Sequence, residues 1–170
     1  FRDYKPQLNT LHKLLTRENL FKEDAIFDDE NWLLSNVNIE NSFTPLKRTF
    51  GVYSFNDGGY YMLRKQNSFT FIRCGKHKDR PSHADNLHLD IWVKGENILL
   101  DSGSYKYNTT EKNSTYFTGT AGHNTVSVNQ NSQMLKGSRF IWYYWSQAKN
   151  ATWQENDKEY IFEGTINAFQ

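Results

Sequence analysis

The chain has 170 residues, 20 basic and 19 acidic side chains and a formal net charge of +1. That length can bury the core of one ordinary domain, and the balanced charge offers no basic footprint for a nucleic-acid partner. No apolar run approaches the roughly 20 residues of a membrane-spanning helix, and the single cysteine, Cys74, excludes an internal disulfide.

In chain order, Leu8, Leu11 and Leu15 recur at helical spacing and predict a short amphipathic helix over about residues 5–17. Residues 18–48 are mixed and polar, with one short strand expected near Trp32, Leu33 and Leu34. Asp24, Asp28, Asp29 and Glu30 crowd together here, but without the alternation and central glycine of a calcium-binding helix-loop-helix. A solvated acidic loop is the expectation.

From Phe50 the pattern turns to strands. Residues 50–55 and 60–65 flank Asn56-Asp57-Gly58-Gly59, a hairpin turn signature. Residues 68–74 form a third strand whose last residue, Cys74, reads as a buried structural thiol. Residues 87–94 alternate cleanly: Leu87, Leu89, Ile91 and Val93 on one face, His88, Asp90, Trp92 and Lys94 on the other. A turn at Gly95 leads to a strand at 98–101. Further strands are predicted at 124–128, 139–148, 151–154 and 160–166. The aromatic content, 16% of the chain, suits pleated sheets. Many strands with short polar turns predict an all-β, antiparallel β-sandwich carrying a short N-terminal helix.

Three candidate metal ligands stand at expected strand ends. His83 precedes the alternating strand, Asp101 ends the next one, and His123 precedes the strand expected at 124–128. A strand's start and its hairpin partner's end lie at one sheet edge, which makes His83 and Asp101 neighbours. His123 joins them if its strand runs in the same sense as the first. Two imidazoles and a carboxylate suit zinc, with water or substrate as the fourth ligand. A rival triplet, His83, Asp85 and His123, has the two-His-one-carboxylate pattern of ferrous oxygenases. His88, on the polar face of its strand, reads as structural.

The wording of the segment discriminates further. His83-Ala84-Asp85, Leu100-Asp101-Ser102-Gly103-Ser104-Tyr105 and His123-Asn124-Thr125-Val126 occur in an order and spacing that resemble the heparinase II/III-like family of polysaccharide lyases. The resemblance covers residues 48–170. It implies that these form the family's β-sandwich domain, and that residues 1–47 are a helix and linker from a preceding helical toroid domain. The chain starts at Phe1 and stops soon after a strand, so it is expected to be a piece of a longer protein, truncated within or after the sandwich.

The resemblance implies β-elimination on uronic-acid-containing polysaccharides such as heparin, heparan sulfate or alginate. A base takes the C5 proton, the C4–O bond breaks, and an unsaturated sugar is left; the substrate carboxylate must be neutralised for that carbanion to form. The family's toroid supplies the proton-transfer groups, so no catalytic residue is assigned within this chain, which alone is expected to be inactive. His83, Asp101 and His123 match the ligands of zinc-binding members. Pro81 stands where some members carry a further histidine, and Thr115, Tyr116, Phe117 and Thr118 fill a region where an arginine is usual. Tyr105 and Tyr107 either line a sugar cleft or pack. Asn124 points to substrate or holds its turn, and Gln133 bonds a neighbouring loop or a saccharide. A non-catalytic carbohydrate-binding module is the alternative reading beside the oxygenase. Export to the periplasm or beyond is expected from the resemblance, because large glycans are met there.

Overall fold

A computed structural model of the chain describes residues 4–21, 33–36, 38, 43, 47 and 49–170. The acidic cluster at Asp24, Asp28, Asp29 and Glu30, and Trp32 of the expected strand, lie outside the described residues. The chain divides into two compact units, Phe1–Thr49 and Phe50–Gln170.

In the first unit, helix α1 spans Lys5–Thr16, with a proline in its first turn and Arg17 closing it in the left-handed conformation at φ 68°. The helix lies where the leucine spacing puts it, but Leu8, Leu11 and Leu15 are exposed, and Asn9 and Thr10 are the buried residues. The Asn9 Oδ1 accepts the Leu20 backbone N–H at 2.9 Å. Leu33 and Leu34 lie in a helical turn rather than the expected strand.

The second unit is an antiparallel β-sandwich. Its larger layer is a five-stranded meander of β1 (Gly51–Phe55), β2 (Tyr60–Arg64), β3 (Ser68–Arg73), β4 (His88–Val93) and β5 (Glu96–Leu99), in sequence order. The β1–β2 turn falls at Asn56–Gly59, as its composition predicts. Gly59 has φ +68°, and a Cβ there would stand 2.2 Å from the Gly75 Cα, so only glycine fits. Beyond β5 comes helix α2 (Glu111–Thr118), capped by the Thr110 hydroxyl accepting from Asn113 N–H, then a 3-10 turn at Thr120–Gly122. A two-stranded ladder, β6 (Leu135–Lys136) and β7 (Trp142–Tyr143), precedes the long hairpin of β8 (Gln147–Glu155) and β9 (Tyr160–Asn167).

That hairpin is the second layer. Tyr61, Ile72 and Leu89 project from three successive strands of the sheet and pack with Cys74, Ala148, Trp153, Phe162 and Ile166. This is the apolar face that the alternation of β4 predicts. A smaller buried cluster of Ala84, Met134 and Trp142 lies outside it.

Two sequence expectations fail locally. Residues 124–128 form no strand: among them only Val128 makes an isolated bridge, to Asn131 across Asn129 and Gln130, both at positive φ. Residues 139–148 hold only β7 and the start of β8, with Arg139 and Tyr144 at positive φ interrupting the run.

Cys74 is the buried thiol expected, 1% exposed. Burial pushes its pKa up, against the opposing pull of the Arg73 charge. A disulfide exchange reagent at pH 8 should therefore label it only as fast as the chain opens. Immediate labelling of the folded chain, followed by absorbance, would contradict this burial.

Candidate metal centre and adjoining cleft

Asn86 organises the approach to β4. It is fully buried, and its side chain joins two distant segments: Oδ1 accepts from Gly75 N–H at 2.9 Å, and Nδ2 donates to the Ser146 carbonyl and hydroxyl at 3.1 and 3.0 Å. Its backbone N–H donates to Gln133 Oε1 at 3.0 Å, and its carbonyl accepts from Gln133 Nε2 at 2.7 Å and from the Thr125 hydroxyl. The next residue, Leu87, is held at φ 62°, a left-handed backbone that costs a bulky residue about 1–3 kcal/mol unless its surroundings hold it. The chain then enters β4 at His88.

Residues 118–125 are tied to the same place. Ala84 N–H donates to the Thr118 carbonyl at 2.8 Å, the Thr120 hydroxyl to the Ala84 carbonyl at 2.8 Å, and Leu89 N–H to the Asn124 carbonyl at 2.9 Å. The Ser102 hydroxyl donates to the Gly122 carbonyl at 2.5 Å. Residues 83, 88, 101 and 123 therefore meet although no strand follows His123.

The four side chains form a connected set. Asp101 Oδ2 lies 2.5 Å from His123 Nδ1 and 3.7 Å from His88 Nδ1. On the other edge of the His123 ring, Nε2 lies 3.0 Å from His83 Nδ1. Asp101 Oδ1 accepts from Gly103 N–H at 2.7 Å. His88, Asp101 and His123 each offer a ligand atom, all within 4.8 Å of one another, and so can hold a metal ion. His88 is 7% exposed and its Nδ1 has no hydrogen-bond partner. An orphaned buried nitrogen beside a carboxylate and a second imidazole fits a cation.

Electrostatics favour ligand-ready forms. Burial lowers the pKa of His83, reinforced by His123, and burial lowers that of His88 against the opposing pull of Asp101. Both imidazoles are thus held neutral. Burial alone would raise the Asp101 carboxyl, but the hydrogen bonds from His123 and Gly103 N–H outweigh it and keep the carboxylate ionised.

The structure gathers His83, Asp101 and His123, yet it joins His83 to the others through His123 rather than beside Asp101. The strand starts at His88, one residue after the predicted start at Leu87, and His83 stands five residues before it. Leu99 pairs with Ile91 across the β4–β5 hairpin, so Asp101 draws level with the His88–Leu89 end of β4. Hairpin geometry thus leads to His88, which the sequence reading treats as structural. Its place on the polar face was the available signal. It stands opposite Arg73 on β3, on the face away from the apolar core. Asp85, the rival carboxylate, is outside the ligand group and pairs with Arg73 Nη1 at 2.6 Å.

His83 also lines a cleft of about 340 Å³. Arg80, Lys106 and Lys136 bring positive charge to its walls, Tyr107, Phe117 and Phe140 bring rings, and no acidic residue is among its described lining. Tyr107 is 86% exposed and stacks on Phe140 at 5.2 Å, while Tyr105 stacks on Phe117 at 5.2 Å. Pro81, where some members have a histidine, is part of the same wall. Gln133 and Asn124 are elsewhere. Gln133 is 0% exposed, with both ends of its amide committed to Asn86 and its neighbours, so it serves the scaffold and not a saccharide. Asn124 gives its carbonyl to Leu89, and its Nδ2 is buried without a partner.

The antiparallel sandwich thus carries a His/Asp cluster beside a cationic, aromatic-walled cleft. Residues 47–170 match the family described as heparinase II/III-like, C-terminal, and the chain belongs to that family. Among solved structures, one of a heparinase III gene product is 18% identical with a TM-score of 0.53, covering 89% of this chain and 22% of its own. A second, with methylated lysines, is 17% identical with a TM-score of 0.49, covering 96% of this chain and 23% of its own. The chain thus spans less than a quarter of the solved chains it resembles. No curated protein matches it.

Replacing Gln133 by Ala removes the partner of the Asn86 N–H and one of the two partners of its carbonyl in a fully buried site. Unfolding in urea should show a loss of about 3 kcal/mol. A loss below about 0.5 kcal/mol would contradict its role as the clasp.

Proposed function

We propose that this chain is the sandwich part of a polysaccharide lyase that cleaves uronic-acid-containing glycans by β-elimination. The observation that carries the reading is the cleft beside His83, where Arg80, Lys106 and Lys136 meet Tyr107 and Phe140 with no described carboxylate. Guanidinium and ammonium groups suit carboxylates and sulfates, and exposed rings suit sugar faces. Family membership supports this reaction class.

Within this chain, Arg80, Lys106 and Lys136 bind and orient the anionic groups. Positive charge near the substrate carboxylate offsets the negative charge that develops when C5 loses its proton. Pro81 carries no proton, so the base and acid are assigned to the helical part of a longer parent. A divalent metal, zinc by its ligand types, would be held by groups of the His83, His88, Asp101 and His123 cluster, and would supply a fixed positive charge that stiffens the cleft wall. The parent would work in the periplasm or outside the cell, where such glycans are met.

A calorimetric titration with a heparan-sulfate or alginate oligosaccharide tests the cleft. Binding should weaken as salt rises, weaken about tenfold in Lys106→Glu, and be absent for an uncharged glycan. Equal binding of neutral and acidic glycans would overturn the assignment and favour a general carbohydrate-binding module. The 170-residue chain alone should release no unsaturated product absorbing in the ultraviolet; sustained release would relocate the base and acid into this chain.

A further inference from the structure

We infer that a second hollow, beside the β1–β2 turn, is an anchoring site for the sulfate or carboxylate groups of an acidic polysaccharide, outside the cleft at His83. The inference rests on the reading that this chain meets such a glycan. It adds a contact that a long glycan makes and a short fragment does not.

Three elements build the hollow, which is about 250 Å³ in volume. The β1–β2 turn gives Asn56 and Asp57, the segment after β3 gives Lys76 and Lys78, and the start of β8 gives Lys149 and Asn150. Backbone contacts fix their places. Cys74 N–H donates to the Gly59 carbonyl at 2.8 Å and sets the turn on that segment, where Gly59 and Gly75 meet. Ala148 N–H donates to the Gly75 carbonyl at 3.1 Å and sets β8 beside it. Lys149 is the extra residue of a β-bulge: Ala148 pairs with Ile166 and Asn150 with Thr165, which leaves Lys149 outside the register. Such a bulge re-aims a side chain. Here Ala148 stays buried while Lys149 is exposed at the hollow.

Charge selects the ligand. Three ammonium groups stand against one carboxylate, Asp57, around the hollow. Lys76, Lys78 and Lys149 are exposed and form no ion pair among the described residues. Like charges gathered on a concave surface concentrate anions there. Ammonium groups on flexible stems act as point charges and suit sulfates and carboxylates at variable spacing, and the Asn56 and Asn150 amides can bond sugar hydroxyls. A nucleic acid would need rings on which to stack its bases, and the lone ring of the lining, Tyr61, is 4% exposed.

The hollow also continues the charge of the cleft. Lys78 stands two residues before Arg80 of the cleft wall, so their Cα atoms lie within about 7 Å of one another. One polymer can touch both places, and the second contact then forms at a high effective concentration.

Calorimetric titration of the 170-residue chain with heparan-sulfate fragments tests this. Affinity should rise about tenfold from a tetrasaccharide to a long chain, and Lys76→Gln with Lys149→Gln should remove that rise while leaving tetrasaccharide binding within about twofold. The slope of log affinity against log salt for the long chain should flatten by about one per lysine removed. On the unmutated protein the long glycan should shift the backbone amide resonances of Lys76, Lys149 and Asn150, and the tetrasaccharide should not; that measurement decides the matter even if the variant does not fold. Unchanged long-chain binding in the variant, an equal loss at both lengths, or equally tight binding of single-stranded DNA would overturn the inference. If Lys106→Glu weakens both lengths and the lysine pair matters to neither, the anchor fails and the cleft stands. If the lysine pair removes the rise and Lys106→Glu changes nothing, the cleft reading fails and the anchor stands. Binding of neither length to the unmutated protein would overturn both.

Discussion

The structure of the site depends on one buried clasp, the reciprocal hydrogen bonding of Asn86 and Gln133. Each is fully buried, and each would be expensive to leave unsatisfied. Their mutual bonds, with those to Gly75, Ser146 and Thr125, fasten four separate segments to the residue that precedes Leu87. The left-handed turn at Leu87 is sustained there, and it sets where β4 begins. Every histidine of the cluster is placed relative to that point: His83 just before it, His88 just after it, and His123 through Leu89 and Thr125.

The sandwich separates two tasks onto two faces of one sheet. The Tyr61, Ile72 and Leu89 face meets the β8–β9 hairpin and forms the apolar core. The opposite face, with Arg73 and His88, is covered by the excursion from Asp101 to His123. A polar cluster can be buried there because its groups satisfy one another: Asp101 with His123 and Gly103, His123 with His83, Arg73 with Asp85. His88 Nδ1 has no hydrogen-bond partner, and neither have His77 Nε2 and Asn124 Nδ2; such buried groups call for an explanation, a bound ion or water among them.

The meander was legible in the sequence because alternation and the Asn-Asp-Gly-Gly turn act locally. Cys74 was legible for the same reason, as the end of an apolar run. What escaped depended on distant partners. Residues 124–128 have strand-like composition, but their bonds go to Leu89 and Asn86, so propensity yields to tertiary pairing. Helix α2 is eight residues of mainly polar character with no buried face; Thr110 and Glu111 at its start were the only cue. His83, Asp101 and His123 were singled out because strand ends converge, yet taking His83, four residues before the predicted strand, as its edge hid His88 at the strand's actual start. Arg80, Lys106 and Lys136 carry no motif, and only the folded cleft brings them together.

The protein therefore presents a cationic wall backed by a His/Asp cluster, and the proposed chemistry needs the charge of a uronate neutralised. The claim that joins fold, cluster and cleft is that an ion and an acidic sugar sit side by side on this face. A crystal structure of the chain with zinc and an acidic oligosaccharide, phased on the zinc anomalous signal, tests it most directly. The account predicts an anomalous peak between Asp101 and His123, with a sugar carboxylate or sulfate between His83 and Lys106. A saccharide bound away from that cleft, with no peak at Asp101, would contradict it.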